Sequence, residues 1–123
     1  MPTYRSELGA RGEERAAKHL ESLGYEIIER NYRCRGGEID IVAREGGDLV
    51  FVEVKPRRSL DFGSGSEAVD ARKQQKLILA AQTYLIERDL GEIDARFDIA
   101  EVYFIDGSPA TIELTKGAFA AEG

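Results

Sequence analysis

The order of structural signals along this sequence predicts an α/β fold: helix, three strands, helix and two strands, giving one central mixed sheet of about five strands flanked by two main helices. Three observations carry that expectation. Apolar residues recur at helical spacing in two separate segments. Runs rich in β-branched and aromatic residues mark the strands. Gly46-Gly47 parts the two strongest of those runs in the manner of a hairpin. A chain of 123 residues suits a single domain, 1–123, with a core of its own.

Each element follows from its residues. Leu8, Ala16, Leu20 and Leu23 place an amphipathic helix over residues 6–23, and Gly24 supplies a C-terminal stop. The segment 25–32 has strand composition, and its interspersed charges suit a sheet edge. Gly36-Gly37 punctuates the connection that follows. Residues 38–43 and 49–55 then flank the turn of a hairpin. Pro56 has no N–H to give a ladder, so pairing is expected to end there.

Residues 57–68, rich in Arg, Ser and Gly, read as a long flexible loop. Within it Gly63-Ser64-Gly65-Ser66 lacks the Gly-Lys-Ser/Thr ending of a phosphate-cradling P-loop and suits a flap beside the hairpin. Asp70 is a natural N-cap for a helix reaching Arg88, with Leu77, Ala80, Ala81, Tyr84 and Leu85 as its apolar stripe. In the strand over 96–105, Phe97 and Ile99 share one parity while Val102 and Phe104 share the other. That shift predicts a bulge or a strand covered on both faces. Ile112 and Leu114 mark a short last strand, and residues 117–123 form a weakly specified tail.

Composition narrows the class. Hydrophobic content of 42% and charged content of 33% fit a globular protein and exclude a disordered or collagen-like one. No apolar run is long enough to span a membrane, and the first residues lack the apolar core of a secretory signal. A single cysteine, Cys34, cannot make an internal disulfide, so a cytoplasmic location is expected. The net charge of -6 argues on its face against a polyanionic partner. Yet residues 1–85 carry 14 Lys/Arg against 14 Asp/Glu, whereas residues 86–123 carry 3 against 9. The acidic segment is therefore expected to lie away from the part of the fold that bears the chemistry.

That chemistry is concentrated in the hairpin. A loop symmetric about Gly46-Gly47 sets Asp40 opposite Glu53 and Glu38 opposite Lys55, all four on one face. The other face then carries Ile39, Ile41, Val50, Val52 and Val54. Directly opposed side chains have Cβ atoms roughly 4.5–5.5 Å apart, where like charges destabilise. Two carboxylates so placed call for a shared proton, a basic neighbour or a metal ion. Asp40 and Glu53 offer hard oxygen donors suited to Mg²⁺ or Mn²⁺, and Lys55 would stand beside the cation to orient water or neutralise charge developing on phosphorus. A solvated strand face with an ordinary Glu38–Lys55 ion pair would show the same alternation, but it leaves the Asp40–Glu53 opposition unexplained. Around the hairpin, Arg33, Arg35, Arg57 and Arg58 suit phosphate contacts, as do Lys73 and Lys76 on one face of the second helix; each also suits plain solvation. His19 and Cys34 read as structural.

Asp40 followed after a gap by Glu53-x-Lys55 resembles the signature of PD-(D/E)xK nucleases. The wider string is more specific: Gly9-x-x-x-Glu13, Asn31-Tyr32-Arg33, Gly37-Glu38-Ile39-Asp40, Val50 to Lys55, Ala68-Val69, Lys73-Gln74-x-Lys76-Leu77, Arg96-Phe97-Asp98 and Ala118-Phe119. Together these residues resemble the bacterial YraN-like family, whose restriction-endonuclease-like fold is similar to that of archaeal Holliday-junction resolvases. The resemblance implies that Asp40 and Glu53 hold Mg²⁺ or Mn²⁺, that Lys55 assists the attacking water, that Glu13 completes the metal site and that Lys73 matches a family lysine. It implies a DNA-cleaving hydrolase, with branched or junction DNA among its substrates, and a homodimer as one assembly. A non-catalytic nucleic-acid-binding or scaffold module on the same fold is the alternative, and a hydrolase of another phosphate ester a weaker one.

Overall fold

The computed structural model of the protein describes residues 7–58, 70–106 and 109–119. The elements run α1 (Glu7–Ser22), β1 (Glu26–Cys34), β2 (Gly37–Glu45), β3 (Asp48–Arg57), α2 (Ala71–Glu87), β4 (Ala95–Tyr103) and β5 (Thr111–Phe119). The five strands form one sheet in chain order, antiparallel throughout except for the parallel β3–β4 pair that α2 connects. No helix among the described residues is long and apolar enough to cross a membrane.

One helix covers each face of the sheet. Ala16, Ala17 and Leu20 of α1 pack on Ile41, Ala43, Val50, Val52, Ala100 and Val102. Leu77, Ala80, Ala81 and Tyr84 of α2 pack on Ile39, Val42, Leu49, Phe51 and Phe97. This corrects the expectation that only one face of the hairpin is core. β3 is buried on both sides, as a strand paired in parallel under a crossover helix normally is. β4 is likewise covered on both faces, and its pairing with β5 shifts register between Phe97 and Ile99. Leu23, expected in the α1 stripe, is half exposed, because α1 ends at Ser22 and the chain turns at Gly24 with φ 96°.

Both strand ends differ from expectation for visible reasons. β3 does not stop at Pro56: the ladder pairs Pro56 with Val102 and Arg57 with Tyr103. Arg57 turns its carbonyl toward β4, where it accepts from Phe104 N–H at 2.8 Å, so the adjacent Pro56 nitrogen faces the β2 side, where no ladder partner remains. β5 runs on through residues 117–119, held by Gly117 N–H donating to Asp98 and by Phe119 stacking on Phe97 at 4.6 Å. The rest of the tail, 120–123, and most of the 57–68 loop, including its Gly-Ser flap and Ala68-Val69, lie outside the described residues.

Candidate active site

The hairpin pairs Glu45 with Asp48, Arg44 with Leu49, Ala43 with Val50, Val42 with Phe51 and Ile41 with Val52, the register that symmetry about Gly46-Gly47 requires. It stops there, one step short of Asp40 and Glu53. From that point the two strands splay, and the Asp40 carboxylate accepts the Val54 backbone N–H at 2.8 Å in place of a ladder carbonyl. The break is visible on the other side of β2 as well. Asn31 lies between the pairs Arg30–Ile41 and Tyr32–Ile39 with φ 58°, a left-handed conformation that Asn tolerates better than most side chains. As a result Ile39 packs with α2 and Ile41 with α1, although they share parity. The expected uniform alternation of the hairpin therefore fails at Asp40.

Glu53 lies on the α2 face and is 5% exposed. Its nearest cation is Lys73 on the first turn of α2, with Nζ 3.4 Å from a carboxylate oxygen. Asp70 caps that turn, accepting Lys73 N–H at 2.9 Å, which fixes the backbone from which the lysine reaches. Burial, and then the charge of Asp40, push the Glu53 carboxyl up to about 7, against the opposing pull of Lys73 and Lys55. Lys55 is half-buried and registers with Glu101 of β4.

The other expected residues distribute around this centre. Arg57 brings Nη2 within 3.4 Å of the Glu101 carboxylate, while Arg58 is exposed at the strand end. Arg33 lies 3.7 Å from Glu38, its register partner across the β1–β2 turn. Lys76 is exposed one turn beyond Lys73. Glu13, which the family resemblance assigns to the metal site, is 2% exposed and accepts from Arg30 Nε at 3.0 Å. α1 closes tightly against the end of β3, since a Cβ at Gly12 would meet the Pro56 Cβ at 3.1 Å. Among the described residues, no group of three or more His, Cys, Asp or Glu side chains stands arranged to hold a metal ion.

Sequence reasoning missed two residues. Glu101, one of the acids of the C-terminal segment, is buried beside Lys55 and Arg57 instead of lying away from them. Its signal was its position in a strand covered on both faces, where an isolated carboxylate demands a cation. Arg30 was passed over as an edge-strand charge, yet it bridges Glu13 and Glu14. Glu113 of the same segment pairs with Glu101 across β4–β5, whereas Asp94 sits at the hairpin-tip end of the sheet, its carbonyl accepting Leu49 N–H.

A divalent cation fits the donor chemistry. Asp40 and Glu53 are hard oxygen donors where the hairpin ladder ends, and burial and the charge of Asp40 raise the Glu53 carboxyl, a penalty that a bound cation would relieve. The architecture is that of an α/β protein with a restriction-endonuclease-like sheet, whose central hairpin opens onto an acidic pair and a lysine. Comparison with known proteins gives the particular family: the chain belongs to the uncharacterised protein family UPF0102, whose model matches residues 12–102. It is 46% identical to a UPF0102 protein of Caldicellulosiruptor saccharolyticus over 92% of this chain and 97% of that one. A UPF0102 protein of Desulforapulum autotrophicum is also 46% identical, over 97% of this chain and 98% of its own. One from Geobacter sulfurreducens matches at 46% over 91% and 88%.

Proposed function

We propose that this protein is a metal-dependent endonuclease that hydrolyses phosphodiester bonds in DNA, with branched or junction DNA as a favoured substrate. The observation that carries the reading is the relation between Asp40 and Glu53. The two carboxylates lie within electrostatic reach of each other where the hairpin ladder ends, and burial together with the charge of Asp40 holds Glu53 toward its protonated form. A Mg²⁺ or Mn²⁺ ion would supply Lewis acidity toward a phosphoryl oxygen and its bound water. Asp40 and Glu53 would hold it. Lys55, close enough for its charge to act on Glu53, would orient the attacking water and offset charge on the phosphorus. Lys73, ion-paired with Glu53, would meet a substrate phosphate. Glu13 would contribute through water while its salt bridge to Arg30 persists.

Cleavage of linear, nicked and four-way-junction DNA in Mg²⁺ or Mn²⁺ tests the proposal. The wild type should cut in a metal-dependent manner, and Asp40→Asn and Lys55→Ala should each lose about a hundredfold or more. Equal activity in all three would remove it. A second reading is a nucleic-acid-binding or scaffold module without catalysis, and the net charge of -6 and the tying of Arg57 to Glu101 favour its scaffold form. Salt-dependent DNA binding with no metal-dependent cleavage would select it.

A further inference from the structure

Beside the acidic pair, the β1–β2 turn and the start of α2 enclose a cleft of about 400 Å³ whose charged lining is dominated by Arg33, Arg35, Lys73 and Lys76. Glu38 supplies its carboxylate, and that group stands 3.7 Å from Arg33. Arg35 and Lys76 are exposed and have no carboxylate partner among the described residues. The turn is drawn close to the helix by glycine. A Cβ at Gly37 would meet the Lys76 carbonyl oxygen at 3.0 Å, and one at Gly36 would meet the Leu79 Cβ at 3.3 Å. A larger residue at either glycine would push the turn from the helix, and the cations come from both walls of the cleft, Arg33 and Arg35 from the turn and Lys73 and Lys76 from α2.

Lys73 belongs to both places: it is ion-paired with Glu53 and it lines the cleft. Lys73 therefore links the cleft to the acidic pair. We infer that this cleft is a subsite for the phosphodiester backbone of a DNA strand, carrying the strand from the Asp40–Glu53 pair across the first turn of α2 to the β1–β2 turn. Arg and Lys on flexible stems, with no aromatic side chain among the lining residues, suit contact with phosphates and not with bases. The inference rests on the proposed DNA substrate, and it joins Arg35, Lys76 and the glycine turn into one binding surface and gives the strand a path.

The test measures binding of a short DNA duplex in EDTA by fluorescence anisotropy across a salt series, so that cleavage plays no part. The double variant Arg35→Ala/Lys76→Ala should bind roughly tenfold or more weakly than wild type at low salt, with a salt slope shallower by about two. Lys18→Ala and Arg15→Ala, combined on the exposed side of α1, remove the same charge elsewhere and should leave the slope nearly unchanged. A cleft variant indistinguishable from that control, or a wild type that binds no duplex, overturns the subsite. Metal-dependent cleavage is scored separately. Cleavage with no binding contrast sinks the subsite and keeps the nuclease, while a binding contrast without cleavage does the reverse.

Discussion

The Asp40 carboxylate accepts the backbone N–H of Val54 at 2.8 Å, at the step where β2 and β3 stop pairing. One side chain thus replaces a lost strand partner and at the same time brings its charge to Glu53. Removing it should have two separable effects. Asp40→Ala leaves the Val54 N–H without its acceptor and should cost roughly 1–3 kcal/mol in urea unfolding. Asp40→Asn keeps an acceptor oxygen and relieves repulsion with Glu53, so its stability without metal should equal or exceed wild type. A destabilised Asp40→Asn with an unaffected Asp40→Ala would contradict this account.

Glu53 predicts an inverted pH dependence. Its folded value, about 7, lies above the ordinary 4.5. The contribution to stability is therefore fully present below the ordinary value and is lost as pH rises through the folded one. Without divalent ions, unfolding free energy should fall by on the order of 2 kcal/mol between about pH 5 and about pH 8. Glu53→Gln should flatten that decline, and an unchanged slope in the variant would assign it to other groups.

Arg96 should be a keystone for stability. Its guanidinium reaches Asp98, Glu45 and Asp48 and donates to the Tyr25 hydroxyl, which itself donates to Asp98 at 2.9 Å. Asp98 is 1% exposed, so Arg96→Met strands a buried carboxylate and should destabilise by about 3–5 kcal/mol. Adding Asp98→Asn should recover part of the loss, measured by denaturant midpoint. A cost below that of ordinary surface substitutions would show the network to be dispensable.

Arg57 and Glu101 should couple. Both are largely shielded from water, so a double-mutant cycle with alanine at each position should give an interaction of about 1 kcal/mol, above that of an exposed pair. Independent, additive costs would mean that the 3.4 Å contact is not maintained in solution.

Most of the architecture was legible because it follows from local rules. The glycine pair at 46–47 fixed the hairpin register, Asp70 announced its helix, and the burial of Leu77, Ala80, Ala81 and Tyr84 followed from spacing. The site was legible only in part. Alternation placed Asp40 and Glu53 at the same level but could not foresee that pairing would stop one step earlier, since that depends on Asn31 turning left-handed on the neighbouring strand. The Glu101–Arg57 pair arises from parallel pairing across the α2 crossover, between residues distant in sequence, and no local pattern reports it. Pro56 misled because its missing donor matters only on the side of the strand that has a partner.

The parallel β3–β4 pair also has a kinetic consequence. Asp40 and Glu53 belong to a single hairpin, a unit that closes within roughly microseconds of its residues becoming available. Lys73 arrives only when α2 docks, and Glu101 and Arg57 meet only when β4 pairs across the crossover, steps with a larger loop-closure cost. The nascent hairpin therefore holds two mutually repelling acids with only its own Lys55 to offset them. Docking of the second helix completes the core of one sheet face and balances the charge at its edge in the same event.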